Sequence, residues 1–200
     1  MIGIIHLDIE KALDALGELL TAEGTEFGIV VLGGAALNLL GIVERTTRDV
    51  DVLAITSSTL DAGLPLLTPP EPLPEPLKRA IDRVARDFRI PEDWVDTTMG
   101  LKLQTGLPPG LERRIHWRRY GGLVVGLVDR YDLIFFKLYA ATDSGGPASV
   151  HYQDLLALRP TRLELDEAAT WVRKQDPSAG FLIILEQVME RLRTDVDWNS

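Results

Sequence analysis

The chain has 200 residues, a formal net charge of −9 and no cysteine. The lack of cysteine excludes a disulfide framework, a thiolate zinc site and a cysteine nucleophile, and the acidic balance argues against broad, non-specific nucleic-acid binding. No apolar run approaches the roughly 20 residues of a membrane span, and the N-terminus lacks the pattern of a secretory signal. We therefore expect a cytoplasmic protein of one domain, residues 1–200, with a sheet-containing core over about 1–128 and a helical extension over about 129–200.

The first elements are a helix and a strand that ends in a glycine pair. Apolar residues recur at helical spacing over residues 7–23, with Asp8 as a plausible cap. Residues 27–32 form an apolar run with three β-branched side chains, which is typical of a buried strand. Gly33 and Gly34 then allow a sharp turn and a close approach to a ligand. Because residues 35–40 favour a helix, its first N–H groups would face that turn, where phosphate oxygens bind well.

A second strand carries two carboxylates on one face. The period of two along the strand places Asp49 and Asp51 on the same side. Two acids beside a phosphate-binding turn outline a site for a metal ion and a triphosphate. Alone, a Gly-Gly pair after a strand is usually a turn and an Asp-x-Asp is usually solvated. The combination favours a functional site, since a half-buried strand would otherwise carry two carboxylates that have no role.

The rest of the chain predicts a β-hairpin between irregular and helical segments. An extended loop with six prolines, a helix and a second irregular segment are predicted at residues 57–76, 77–88 and 91–110. Residues 113–120 and 123–128 flank Gly121-Gly122, which predicts the hairpin. Four helices follow, at residues 130–142, 150–158, 164–175 and 178–193. The predicted fold class is α+β (mixed α/β), a small mixed sheet backed by helices with a helical C-terminal third.

Two charged residues of the C-terminal third lie among apolar neighbours at helical spacing. Lys137 would either reach past them to water or lie at the edge of a pocket. Asp154 needs a cation, which Lys137, His151 or an arginine would supply, so a structural ion pair is the simple interpretation. Asp129 and Asp132, three residues apart at a helix start, are explained by helix capping.

One short segment is rich in arginine. Residues 112–119, ERRIHWRR, hold four arginines with His116 and Trp117 between them, and Tyr120 follows. As a nucleic-acid surface this segment would offer cations for phosphate and rings for stacking. A strand with a solvated arginine face is the simpler interpretation.

The glycine and aspartate motif resembles the signature of a known family. The motif is Gly33-Gly34-Ala35-Ala36-Leu37, then Gly41, then Arg45-x-Thr47-x-Asp49-Val50-Asp51. It resembles that of the minimal nucleotidyltransferase fold, in particular the AbiEii-like and related bacterial nucleotidyltransferases, a group that includes toxins of toxin–antitoxin pairs. Residues 129–141 and 151–161, with Trp171, are also similar to this group, so the resemblance spans roughly residues 27–175.

The resemblance implies an activity and a set of site residues. It implies a nucleotidyltransferase-like fold that transfers a nucleoside monophosphate from an NTP to a hydroxyl of an RNA end, a protein or a small molecule. Mg²⁺ (or Mn²⁺) would be bound by Asp49 and Asp51, and a cognate antitoxin would be a partner. The nucleotide would be contacted by Gly33, Gly34, Arg45, Thr47 and Lys137. Asp154 would also belong to the catalytic site.

Two features depart from that pattern. Many nucleotidyltransferases use a third carboxylate on a later strand as general base, but residues 113–120 contain no acid, which leaves Asp96 in a loop and Glu112 as candidates. Residues 144–150 also contain no basic residue, although the resemblance implies one or two there. The alternative function is therefore an inactive nucleotidyltransferase-fold module that binds nucleotides or other proteins.

Overall fold

The computed structural model describes residues 8–56 and 64–196. The predicted helix start at Leu7, the N-terminal segment without a signal pattern and the first part of the proline-rich loop, residues 57–63, lie outside the described residues. The chain divides into two compact units, Met1–Val128 and Asp129–Ser200. None of the helices that the structure describes has the length and apolarity needed to cross a membrane.

The first unit contains a five-stranded mixed sheet. Its strands are β1 (Phe27–Leu32), β2 (Val50–Thr56), β3 (Val95–Asp96), β4 (His116–Tyr120) and β5 (Leu123–Leu127). In the sheet the order is β3-β2-β1-β5-β4. β1 pairs antiparallel with β2 and parallel with β5, β2 pairs parallel with β3, and the predicted hairpin joins β4 to β5. β1 and β5 are central strands whose residues are buried almost throughout, which explains why their sequences read as continuous apolar runs.

The described part of the first unit contains four α-helices in addition to its sheet. They are α1 (Ile9–Ala22), α2 (Gly33–Leu39), α3 (Glu75–Phe88) and the single-turn α4 (Lys102–Thr105). Asp8 caps α1 as predicted, since its Oδ1 accepts the Lys11 N–H at 3.3 Å. The second irregular segment is anchored by Trp94, which is fully buried and donates its indole Nε1–H to the Ile81 carbonyl of α3 at 3.2 Å.

The second unit is entirely helical in its described residues. It contains α5 (Arg130–Asp143), α6 (Val150–Leu158), α7 (Arg162–Gln175) and α8 (Ala179–Asp195). α5 packs against each of the other three helices, which explains why even its residues Phe135 and Phe136 are buried. The predicted fold class is therefore confirmed: a mixed five-stranded sheet with helices, followed by C-terminal helices.

The start of α7 is held by a charged hydrogen-bond network. Glu164 accepts the Thr161 N–H at 2.7 Å and both Nη groups of Arg130 at 2.8 and 3.1 Å. Arg130 also donates to the carbonyls of Leu158 and Arg159, so it joins the end of α6 to the start of α7. Partial burial raises the pKa of Glu164, but the hydrogen bonds from Arg130 and Thr161 outweigh burial and set this pKa below its usual value.

Replacing Glu164 with glutamine should remove stability in a pH-dependent way. A carboxyl whose pKa is lower in the folded state contributes stability at neutral pH and loses it as the pH falls through that folded pKa. Glu164→Gln should therefore lower the free energy of unfolding by about 1–2 kcal/mol at pH 7, and the difference should shrink below pH 4.5. Urea unfolding from pH 7 to pH 3 measures this, with the exposed Glu190→Gln as control. A difference that stays constant with pH would contradict the assignment.

Candidate functional site

The glycine pair forms the first turn of α2 and lies against Asp51. α2 begins directly at Gly33, so the predicted helix start at residue 35 is wrong by one half-turn. Gly33 has a φ of +73°, the left-handed region that favours glycine. A Cβ on Gly33 would lie only 1.8 Å from Asp51 Oδ2. The carboxylate therefore occupies the space that any other residue at position 33 would fill.

The pairing of β1 with β2 places Asp51 beside this turn. Leu32, the last residue of β1, pairs with Asp51, after an irregularity in the ladder between Val30 and Val31. Asp51 is the second residue of β2 and is half-buried. The prediction that Asp49 also lies in the strand is off by one residue, because β2 begins at Val50. Asp49 therefore lies at the end of the preceding loop, one residue before the strand.

The loop before β2 lies against the second glycine. A Cβ on Gly34 would lie 2.9 Å from Thr47 Oγ1 and 3.5 Å from Arg45 Nη2. Thr47 is buried and its hydroxyl donates to the Asp49 carbonyl at 3.2 Å. The loop is also tied to α2, since Asn38 Nδ2 donates to the Arg45 carbonyl at 2.9 Å. The structure thus brings together the predicted residues Gly33, Gly34, Arg45, Thr47 and Asp51.

A cavity of about 300 Å³ opens beside this loop. Arg45, Thr47 and Asn38 line one side of the cavity, and the first residues of α1 line the other. The carboxylates of Glu10 and Asp8 at its rim have cations of their own, because Glu10 Oε1 lies 3.4 Å from Arg118 and Asp8 lies 2.8 Å from Lys11. The loop that lies against Gly34 therefore borders open space of ligand size, although neither glycine and neither Asp49 nor Asp51 lines that cavity.

Asp96 lies on a strand and not in a loop. The short strand β3 pairs in register with β2, so that Asp96 is the direct neighbour of Asp51. Residues paired across neighbouring strands point to the same face of a sheet. Asp96 Oδ1 accepts the Thr98 N–H at 2.8 Å, which orients the carboxyl group. Glu112, the other candidate, lies in a 3₁₀ turn over Leu111–Arg113.

The carboxylates do not form a preassembled metal cage. Within residues 8–56 and 64–196, no group of three or more His, Cys, Asp or Glu side chains is placed to hold a metal ion. Mg²⁺ is commonly bound through one or two carboxylates together with substrate phosphates and water. Asp51 brings one carboxylate to the glycine turn, so a divalent cation at this place would need most of its ligands from substrate phosphates and water.

Lys137 and Asp154 form a buried ion pair in the second unit. Lys137 Nζ lies 2.7 Å from Asp154 Oδ2, and their side chains are 6% and 2% exposed. Lys137, one of the cations considered for Asp154, is thus in contact with it, and the lysine side chain is buried. Asp129 caps α5 by accepting the Tyr131 N–H at 2.7 Å. Asp132, in the first turn, is fully buried, which the capping interpretation does not anticipate.

The arginine-rich strand makes contacts within the first unit. Arg118 Nη2 donates to the Leu39 carbonyl at 2.7 Å, in addition to its contact with Glu10. Arg119 lies 3.6 Å from Glu26, and Arg114 donates to the Pro109 carbonyl at 2.8 Å. These partners are carboxylates and carbonyls of the chain itself. They favour a structural role for the arginines over a nucleic-acid surface.

Replacing Gly33 with alanine should cost more stability than the same change at Gly24. Both glycines have left-handed φ angles, +73° and +65°, but a Cβ on Gly24 would meet nothing within 4 Å. Gly24→Ala should therefore cost about 1–2 kcal/mol of backbone strain, and Gly33→Ala about 1–3 kcal/mol more, because Asp51 must move. Chemical unfolding compares the two variants, and nucleotide titration should show weaker binding for Gly33→Ala alone. Equal costs would mean that the carboxylate is not held against the turn.

Comparison of the chain with protein-family models, with curated proteins and with solved structures gives no match in any of the three.

Proposed function

We propose that this chain is a metal-dependent nucleotidyltransferase that uses an NTP as donor and a hydroxyl group as acceptor. The observation that carries the proposal is the contact of Asp51 Oδ2 with Gly33, the first residue of a helix that follows a buried strand. A carboxylate and the first N–H groups of a helix are thereby brought together in one place. A purely structural turn has no need of a charged side chain packed on its glycine.

The glycine turn and its loop would bind the triphosphate. The first N–H groups of a helix have no acceptor within the helix, so those of α2 would donate to phosphate oxygens, while Asp51 and Thr47 fill the space beside Gly33 and Gly34 where a Cβ would lie. The Arg45 guanidinium, whose Nη2 lies near Gly34, would offset the charge that builds on the pyrophosphate leaving group. Thr47 would contact the nucleotide and hold the loop through its hydrogen bond to Asp49.

The carboxylates would divide two tasks. Asp49 and Asp51 would hold Mg²⁺ or Mn²⁺, which when bound polarises the phosphoryl group and neutralises phosphate charge. Asp96, in register with Asp51 on the neighbouring strand, would accept the proton from the attacking hydroxyl. The Thr98 N–H would fix the orientation of the Asp96 carboxyl group during this proton transfer.

Lys137 and Asp154 have a narrower place in this proposal. The lysine charge is compensated by a carboxylate at 2.7 Å, so a phosphate would have to compete with Asp154 for the ammonium group. Asp154 would therefore act by holding Lys137 in place within the second unit. Measurements of stability and of label transfer on variants of the pair distinguish a structural role from a role in the reaction.

A nucleotide-binding module without turnover is the second candidate function. Two observations favour it: the described residues contain no three-carboxylate metal cluster, and residues 144–150 lack a basic side chain. Such a module would retain the glycine turn and Arg45. It would bind an NTP or a protein partner without releasing pyrophosphate.

Label transfer tests the proposal directly. The protein is incubated with Mg²⁺ and each of four α-labelled NTPs, in separate reactions with total RNA, with a protein lysate and with a small-molecule extract. Covalent label on an acceptor, with release of pyrophosphate, is the expected result. NTP binding by calorimetry without transfer to any acceptor would favour the non-catalytic module. Absence of NTP binding would refute both the transferase and a nucleotide-binding module, and only a module that binds a protein partner would remain.

A further inference from the structure

The second half of the proline-rich segment is attached to β2, the strand that also pairs with β3. Thr68 lies opposite Ile55 of β2 in an antiparallel bridge, with two backbone hydrogen bonds of 2.9 Å. The Thr68 hydroxyl also donates to the Ile55 carbonyl, at 3.1 Å. β3 pairs with the other end of β2, at Val50 and Asp51. The proline-rich segment and β3 are therefore held by the same strand.

Two contacts join this segment to the residues that follow Asp96. The Thr97 hydroxyl donates a hydrogen bond to a carboxylate oxygen of Glu71. Pro70 is buried and packs so closely on Gly100 that a Cβ on Gly100 would lie 2.4 Å from Pro70 Cδ. The chain after β3 is thus attached to the proline-rich segment by a hydrogen bond and by a close packing contact.

The orientation of the Asp96 carboxyl group depends on the residues that are attached in this way. Asp96 Oδ1 accepts the Thr98 N–H at 2.8 Å, so a displacement of the backbone at residues 97 and 98 would turn the carboxyl group. β3 ends at Asp96, and these two residues therefore lie beyond the strand. The hydrogen bond between Thr97 and Glu71 contributes to their position.

We propose that Glu71 is a positioning residue for Asp96 and that it acts through the hydroxyl of Thr97. This inference rests on the proposed function, in which Asp96 accepts the proton of the attacking hydroxyl group. Glu71 would hold the backbone of residues 97 and 98, and thereby the carboxyl group of Asp96, without contact with the reacting groups. A carboxylate suits this task, because a hydrogen bond to an ionised acceptor is stronger than one to a neutral acceptor.

Amide exchange at Thr98, followed by NMR, tests the inference independently of activity. The Thr98 N–H is bonded to the Asp96 carboxyl group, so its exchange rate reports how firmly that group is held. Exchange should be about tenfold faster in Glu71→Ala and in Thr97→Val, each of which removes one partner of the hydrogen bond. Glu71→Gln keeps an acceptor oxygen and should exchange within about threefold of the unmodified chain. Glu92→Ala makes the same change as Glu71→Ala at another exposed position and should have no effect.

The kinetics of label transfer test the role of Glu71 in the reaction. Glu71→Ala should lower kcat about tenfold and leave the KM for the NTP unchanged, because Asp96 would act on the acceptor hydroxyl and not on the bound nucleotide. Glu71→Gln should restore most of kcat, and Glu92→Ala should retain it. Rates are normalised to the amount of folded protein, so a loss of stability alone would leave kcat unchanged.

Each result has a defined meaning for the positioning role. The inference is overturned if Thr98 exchanges at the same rate in Glu71→Ala as in the unmodified chain, or if exchange is faster but kcat stays the same. An unmodified chain that transfers no label would refute the proposed function instead. The exchange rates would then still decide whether Glu71 holds the Asp96 carboxyl group in place.

Discussion

Replacing Asp51 with asparagine should lower label transfer by at least about a hundredfold and abolish the increase in melting temperature caused by Mg²⁺ or Mn²⁺. The substitution keeps the shape of the side chain that lies against Gly33 but removes the charge that would bind the cation. Without metal, the variant should remain folded, because the amide group has nearly the same volume as the carboxyl group that it replaces. Differential scanning calorimetry with and without metal measures both effects.

The exposed Asp14→Asn is the matched control for this experiment, because it makes the same chemical change on α1. It should retain both the metal-induced shift and label transfer. A metal-induced shift of equal size in Asp51→Asn would contradict the metal site. If Asp51→Asn loses the metal-induced shift but still transfers label, the unmodified chain binds metal through Asp51 and the reaction does not need that metal.

Replacing Lys137 with methionine should lower the free energy of unfolding by about 3–5 kcal/mol. The variant leaves the Asp154 carboxylate, which is 2% exposed, without the ammonium group at 2.7 Å. The double variant Lys137→Met with Asp154→Leu should regain most of this stability, because an apolar pair of similar volume often replaces a buried ion pair without loss. Urea unfolding of the single and double variants measures the coupling between the two residues.

An exposed ion pair provides the control. Lys78 and Asp82 also form a lysine–aspartate contact, at 3.1 Å, but their side chains are 57% and 42% exposed, so Lys78→Met should change stability by only about 0.5 kcal/mol. A similarly small effect at Lys137 would contradict the importance of burial. A double variant that is stable and inactive would assign the pair a role in transfer, whereas a stable and fully active one would make it purely structural.

Most elements could be predicted from the sequence because their signals are local. The apolar run at β1, the paired glycines of the β4–β5 hairpin and the helical spacing of α5 to α8 each lie within a few residues of one another. The grouping of Gly33 with Arg45, Thr47 and Asp51 was likewise accessible, since a strand, a turn and the next strand contain them all. Helix and strand ends were less accurate, by one or two residues, because the hydrogen bonds at element ends are shared with neighbouring segments.

Features that depend on distant residues could not be predicted in the same way. β3 has two residues, too few for any periodicity, so the strand position of Asp96 follows only from its pairing with β2. The choice of Lys137 among three cations for Asp154 required the packing of α5 on α6.

The anchoring of β3 by Trp94 affects how often this strand opens and Asp96 moves away from Asp51. A two-residue strand contributes few ladder hydrogen bonds, and its attachment rests instead on the fully buried indole and on the Trp94 carbonyl, which accepts the Val50 N–H at 2.7 Å. Local opening of β3 therefore requires extraction of an indole from the core, which is much slower than fraying of an ordinary short strand. Hydrogen–deuterium exchange at the Val50 amide, whose hydrogen bond to the Trp94 carbonyl is broken by this opening, would measure how often Asp96 separates from Asp51.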